Sequence, residues 1–172
     1  MIYFTADLHL GHEAILYMAE RPYKNLDEMN QTLIRNINAF VTDRDTLYIL
    51  GDIAHKLEVP DAEEWIRQIH GKKILIRGNH DKEYDPSLFE EICDYKEITV
   101  DEQRFILMHY PLRAWHKMRG GASSCMATST AVLPIMKRIV RRASISMMSE
   151  SMRMITIPFP SDRSSGISGM FL

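Results

Sequence analysis

K-K-I-L-I-R-G-N-H-D, residues 72–81, decides the fold. Residues 72–77 read as a strand, and G-N-H-D stops it abruptly. The same grammar recurs upstream. M-I-Y-F-T-A (1–6) is a short apolar run that meets Asp7, and L-H-L-G-H then turns at Gly11. T-L-Y-I-L (46–50) meets Gly51-Asp52. Between these two runs Leu26, Met29, Leu33, Ile34, Ile37 and Phe40 recur at three- and four-residue spacing. That spacing predicts a helix over 26–41 whose methionine and aromatic residues are core. Pro60 to Ile69 reads as a second helix, opened by proline and followed by Gly71. Downstream, residues 86–92 read as a short helix. Y-K-E-I-T-V and R-F-I-L-M-H, joined by D-E-Q, read as an antiparallel pair ending at His109. The alternation predicts an α/β domain.

Four strands therefore end beside a residue that can bind a metal: Asp7, Asp52, Asn79 and His109. In α/β sheets, sites form outside the carboxyl ends of the strands. Neighbouring strands lie about 5 Å apart, so ligands distant in sequence converge there. His9 joins them through D-x-H, two residues apart and on one side of an extended segment. Carboxylate, imidazole and amide oxygen suit Mn²⁺, Fe, Zn²⁺ or Mg²⁺ rather than Cu(I). A carboxylate such as Asp52 has two oxygens and can bridge two ions. Two such ions, about 3.5–4 Å apart, can hold a hydroxide and clamp a phosphate for in-line attack. His80, beside the cluster, is placed to protonate a leaving oxygen.

The ordered set D-L-H (7–9), G-D (51–52), G-N-H-D (78–81) and H-Y-P (109–111) resembles the calcineurin-like metallophosphoesterase family, in a small bacterial single-domain branch. The resemblance covers residues 1 to about 118. It implies a two-sheet α/β sandwich flanked by helices, two divalent metal ions and a small phosphorylated substrate, monoester or diester. It implies Asp7 and His9 on the first metal, Asp52 as the bridge, and Asn79 and His109 on the second. His80 matches the histidine that contacts the scissile phosphate and aids the leaving group. The family closes its site with G-H-x-H, whose histidines complete both metals, and this chain has no such motif.

The chain departs from the family where its composition changes. Residues 1–121 hold 15 Lys and Arg against 21 Asp and Glu; residues 122–172 hold 6 against 2. Serine occurs once before the split and eleven times after it, while all seven histidines lie before it. One permitted codon set for Ala122 to Ala131, read from the third base of its first codon, gives I-L-M-Y-G-H-I-H-S, a strand followed by the missing motif. The same shift over residues 145–156 allows F-N-D-V-G-V-D-A-N-D-Y, which is similar to the segment that follows in this branch. A domain body at 1–121 and a frame-shifted, aberrant tail at 122–172 are the expected organisation. V-L-P-I-M-K-R-I-V-R-R (132–142) taken as written would make a basic amphipathic helix of membrane-surface or partner type.

The bounds are those of one soluble domain: 172 residues, 45% hydrophobic, 26% charged, net charge −2. Nothing electrostatic indicates nucleic acid or a membrane as partner. Cys93 and Cys125 lack metal spacing, M-I-Y-F-T-A-D-L-H lacks a leader's basic start, and a cytoplasmic, reduced chain is expected. His12 reads as a turn or substrate-contact residue. His55, His70 and His116 read as surface or structural, with His116 the best substrate candidate of the three. Asp81 reads as a cap or as the residue that orients His80; Arg77 and Lys82 flank a strand. Two rival readings stand beside the hydrolase: a non-catalytic phosphate- or partner-binding protein on the same fold, and a chain that folds poorly because lost terminal strands leave sheet edges open.

Overall fold

The computed structural model describes residues 1–126 and 152–154. Its elements in chain order are β1 (Ile2–Thr5), α1 (Ile15–Met18), α2 (Leu26–Asn38), β2 (Thr46–Ile49), α3 (Val59–Gln68), β3 (Lys72–Ile76), β4 (Glu91–Cys93), β5 (Tyr95–Val100), β6 (Gln103–Met108), β7 (Ser123–Met126) and β8 (Met152–Met154). Single 3₁₀ turns lie at Pro86–Leu88 and Met118–Gly120. One sheet has the order β4-β3-β2-β1-β8 and the other β5-β6-β7. The predicted two-sheet α/β sandwich is what the chain forms.

The first sheet is parallel throughout, with Thr5 beside Ile49 and Ile49 beside Leu75 in register. That register brings the carboxyl ends of β1, β2 and β3 to one edge. Period-two alternation assigns the two faces. Tyr3, Leu47, Ile49 and Leu75 pack with Met29, Leu33, Ile34 and Ile37 of α2 and Ile66 of α3. Phe4, Tyr48, Leu50 and Ile76 turn the other way and meet Leu107 of the second sheet, with Ile98, Val100 and Phe105 against them. Both faces are covered, as a parallel sheet requires. Among the described residues no helix is long and apolar enough to cross a membrane.

Local chemistry sets the helix ends. Asn25 caps α2 by accepting from Glu28 N–H, and Glu28 reaches back to accept from Lys24 N–H at 2.8 Å. α2 stops at Asn38 rather than running to 41. Phe40 is 56% exposed, and Val41 takes the buried place expected of it. Residues 86–92 are not a helix. One turn at Pro86–Leu88 gives way to β4, because Glu90 N–H donates to Lys73 carbonyl and Arg77 N–H to Cys93 carbonyl, drawing the segment onto the free edge of β3.

The edges differ from those of the rival, poorly folding chain. β7 pairs parallel with β6, and β8 covers β1 over three residues, so neither lies open there. The segment 132–142 lies outside the described residues. Ile49 is fully buried at the centre of the parallel sheet. Ile49→Ala should lower unfolding free energy by about 2–5 kcal/mol, read from urea denaturation, while Phe40→Ala should change it by less than about 1 kcal/mol.

Candidate metal centre

The site sits where β1, β2 and β3 end and the second sheet leans in. The loops after β1 and β2 stay stitched beyond the strands: Asp7 N–H donates to Gly51 carbonyl, His9 N–H to Asp52 carbonyl and Leu10 N–H to Ile53 carbonyl, all at 2.9–3.1 Å. Asp7, His9 and Asp52 nevertheless have φ of 53°, 52° and 56°. The D-x-H segment is therefore kinked rather than extended as expected, since left-handed residues break the two-residue alternation. Such conformations cost about 1 kcal/mol or more each and cluster at functional sites.

The two glycines that precede ligand candidates are dictated by crowding. A Cβ on Gly51 (φ +87°) would lie 2.3 Å from His109 Nδ1, and one on Gly78 would lie 2.2 Å from Asp52 Oδ1. Gly51 thus admits the His109 ring and Gly78 admits the Asp52 carboxylate.

The structure gathers all five metal-ligand candidates around Asp52. His9 Nε2 lies 3.9 Å from Asp7 Oδ1 and 3.7 Å from Asp52 Oδ2. His109 Nε2 lies 3.7 Å from the same Asp52 oxygen and 3.2 Å from Asn79 Oδ1. His109 Nδ1 sits 2.8 Å from Leu50 carbonyl, which can only accept. That bond places the proton on Nδ1 of the neutral ring and turns the Nε2 lone pair toward Asn79 Oδ1 and Asp52 Oδ2. Three lone-pair donors then face one another, an arrangement that a cation between them relieves. His9 Nδ1 is buried without a hydrogen-bond partner. Burial, opposed by the Asp52 charge, lowers the His9 pKa to about 4, so the ring is a neutral donor at physiological pH. The donor set fits divalent metal ions, with Asp7, His9 and Asp52 on one side and Asp52, Asn79 and His109 on the other.

His80 donates its backbone N–H to Asp52 Oδ1 at 2.9 Å, and its ring stacks on His55 at 3.8 Å between centroids. Its ring is 5.7 Å from that of His9. His12 and His55 complete the group, Nδ1 to Nδ1 at 3.2 Å. His55 was expected to be peripheral, yet it belongs to this group. His116 and His70 take the surface or structural places expected of them: His116 pairs with Glu97 and Arg104 on the β5–β6 hairpin, and His70 lies by Asn38. Arg77 pairs with Glu83, and Lys82 lies 3.9 Å from Glu58.

Two residues position the loops, Asp81 in a role other than those expected of it and Arg21 with no role expected. Asp81 neither caps the next turn nor bonds to the His80 ring. Its carboxylate accepts the N–H groups of Asp52, Ile53 and Gly78 at 2.8–2.9 Å, tying the β2 loop to the β3 loop. Burial raises its pKa against those bonds. Arg21, 6% exposed, donates to the carbonyls of Asp7 and Leu8 at 2.6 and 2.7 Å and holds the kinked D-L-H segment. Burial lowers its pKa to about 10. Both are single residues with no periodicity; the D that ends G-N-H-D is the one visible signal for Asp81, and Arg21 has none.

The chain belongs to the calcineurin-like phosphoesterase family, whose model matches residues 1–138. It is 39% identical over 111 residues to the protein MJ1445 of Methanocaldococcus jannaschii, a match covering 64% of this chain and 58% of that one. It is 37% identical over 82 residues to the gene 66 protein of Mycobacterium phage L5, covering 46% and 39%. Its matches thus span well under two-thirds of the length of these curated relatives. Among solved structures, the Aquifex aeolicus protein AQ665 superposes with a TM-score of 0.54 at 30% identity, over 83% of this chain and 71% of that one. Family membership makes metal-dependent phosphoester hydrolysis the general chemistry of the fold.

The site predicts two stability effects. Asp81→Ala leaves three part-buried N–H donors without their acceptor and should destabilise the metal-free chain by about 3 kcal/mol in chemical denaturation. His9, His12 and His55 all have pKa values lowered from 6.5, in each case chiefly by burial. An unfolded chain then binds more protons below pH 6.5, so metal-free stability should fall as pH drops from about 6.5 toward 4. Thermal melts of wild type and His9→Gln across that range check this: the variant's slope should be shallower.

Proposed function

We propose that the chain is a metal-dependent phosphoesterase acting on a small phosphorylated monoester or diester in the cytoplasm, and that residues 122–172 come from a shifted frame that impairs it. One observation carries the catalytic part: Asp52 Oδ2 stands 3.7 Å from both His9 Nε2 and His109 Nε2, between two imidazoles that face it. Asp7 and His9 would hold one divalent ion, Asn79 and His109 the other, with Asp52 shared. Mn²⁺, Fe, Zn²⁺ and Mg²⁺ all suit this set. The bound pair supplies water activation and charge neutralisation at the phosphoryl group. The chain's own residues do the rest. Arg21 and Asp81 fix the loops that aim the donors. His80, anchored through its backbone to Asp52 and stacked on His55, gives a proton to the leaving oxygen.

Support for the tail reading comes from β7. Its four residues, S-S-C-M, run beside the apolar β6 (Phe105 to Met108). Ser124 Oγ is buried with no hydrogen-bond partner. An orphaned hydroxyl costs about 1–3 kcal/mol. The shifted reading would set I-L-M-Y along the same stretch and follow it with G-H-I-H. As written, the chain supplies five of the seven ligands that the family resemblance implies.

Sequencing the coding DNA across codons 115–131 and assaying both frames with Mn²⁺, against an aryl phosphate and an aryl phosphodiester, tests this. The restored frame should turn over substrate at least about 10²-fold faster than the chain as written, and Asp52→Asn should remove that activity. A restored frame that binds phosphate without turnover at any metal concentration would instead support the non-catalytic binding protein.

A further inference from the structure

His12 and His55 have no part in the ligand set or in the proton transfer above, yet they stand beside both. His12 lies in the turn after β1, and His55 follows the loop after β2. The two loops are paired two residues before His12, because His55 N–H donates to Leu10 carbonyl and Leu10 bridges Ala54. Those bonds bring the two rings together, 4.3 Å between centroids and edge to face. His9 completes a group in which one ring nitrogen from each residue lies within 4.8 Å of the others. All three are partly open to solvent, so an ion can enter.

We propose that His9, His12 and His55 form a three-imidazole site for a late first-row divalent cation, of which Zn²⁺ is the probe. The chemistry selects the ion. An all-nitrogen donor set favours Zn²⁺, Co²⁺, Ni²⁺ or Cu²⁺, whereas Mg²⁺ and Mn²⁺ prefer the carboxylate oxygens of Asp7 and Asp52. The geometry suits it as well. With Zn–N bonds near 2.0–2.1 Å, a tetrahedral edge between two nitrogens is about 3.4 Å. His12 Nδ1 and His55 Nδ1 are already 3.2 Å apart. At that separation two neutral rings gain only one shared hydrogen bond, and a cation would satisfy both lone pairs. Three protein ligands leave a fourth position for water or an anion.

The site stands apart from the phosphoesterase reading, since it needs no Asn79, His109 or tail ligand. His9 is shared, so Zn²⁺ at the trio and Mn²⁺ at the carboxylates compete for one imidazole.

The full chain, stripped of metal, should be titrated with Co²⁺ followed by visible absorption, and with Zn²⁺ against a chromophoric chelator. X-ray absorption of the one-equivalent Zn²⁺ complex counts imidazole ligands. His12→Gln and His55→Gln should each weaken Zn²⁺ binding by about tenfold or more and drop the count by one, while His116→Gln changes neither. His55→Cys guards against loss of folding in these variants: it should keep binding Co²⁺ and add a thiolate charge-transfer band. Wild-type affinity in either glutamine variant, or no charge-transfer band in His55→Cys, overturns the site. No phosphatase assay enters the test, so an inactive chain that passes it retains the trio, and an active chain that fails it loses only the trio.

Discussion

The Asp81 carboxylate holds together what the rest of the site depends on. Parallel strands deliver their ends to one edge, but they do not fix the loops beyond that edge. Asp81 does so by collecting the N–H groups of Asp52, Ile53 and Gly78 on its two oxygens. Gly78 must lack a Cβ for Asp52 Oδ1 to fit beneath it, and His80 N–H donates to that same oxygen. Gly78 and His80 thus act on the Asp52 carboxylate itself, while Asp81 holds the Asp52 backbone. Burying this Asp81 carboxylate costs desolvation, which raises its pKa, and its backbone hydrogen bonds return that cost as loop geometry.

Arg21 plays the corresponding part for the first loop. Left-handed φ at Asp7 and His9 turns successive carbonyls inward, and a buried guanidinium with two donors aimed at Asp7 and Leu8 meets them. The fork geometry of guanidinium suits two neighbouring carbonyls in a way that an ammonium does not. Kinked D-L-H and buried Arg21 are therefore two halves of one device. Together with the Leu10–Ala54 bridge, it explains why His9, His12 and His55 end on one side.

Much of this was legible in the residues. Short apolar runs that stop at Asp, Gly-Asp or Gly-Asn read plainly as strand ends, because a parallel strand covered on both faces stays mostly apolar until it leaves the sheet. The five metal-ligand candidates and His80 followed from that. The kink at D-x-H was hidden because nothing in three residues distinguishes left-handed from extended backbone. Residues 86–92 misled because Leu88, Phe89 and Ile92 carry helical spacing, while the unpaired edge of β3 offered their backbone stronger partners. Phe40 misled because a periodic pattern does not say where a helix stops, and Val41 could fill the same pocket. Arg21, Asp81 and His55 act through tertiary hydrogen bonds or ring stacking, and no local pattern announces such contacts.

The second sheet ties the fold to the tail. β6 places His109 against Gly51, so the position of the His109 donors depends on how firmly β6 is held. On one side β5 pairs with it antiparallel over six residues; on the other, β7 pairs over four. A β7 of S-S-C-M leaves a buried hydroxyl unpartnered where the neighbouring strand presents Leu107 and Ile106, both fully buried. The weakness of that strand and the loss of G-H-x-H would then share one origin, since the shifted reading supplies an apolar strand and the two histidines in unbroken succession. A chain altered there loses support for His109 as well as two ligands, so the second metal position should suffer more than the first.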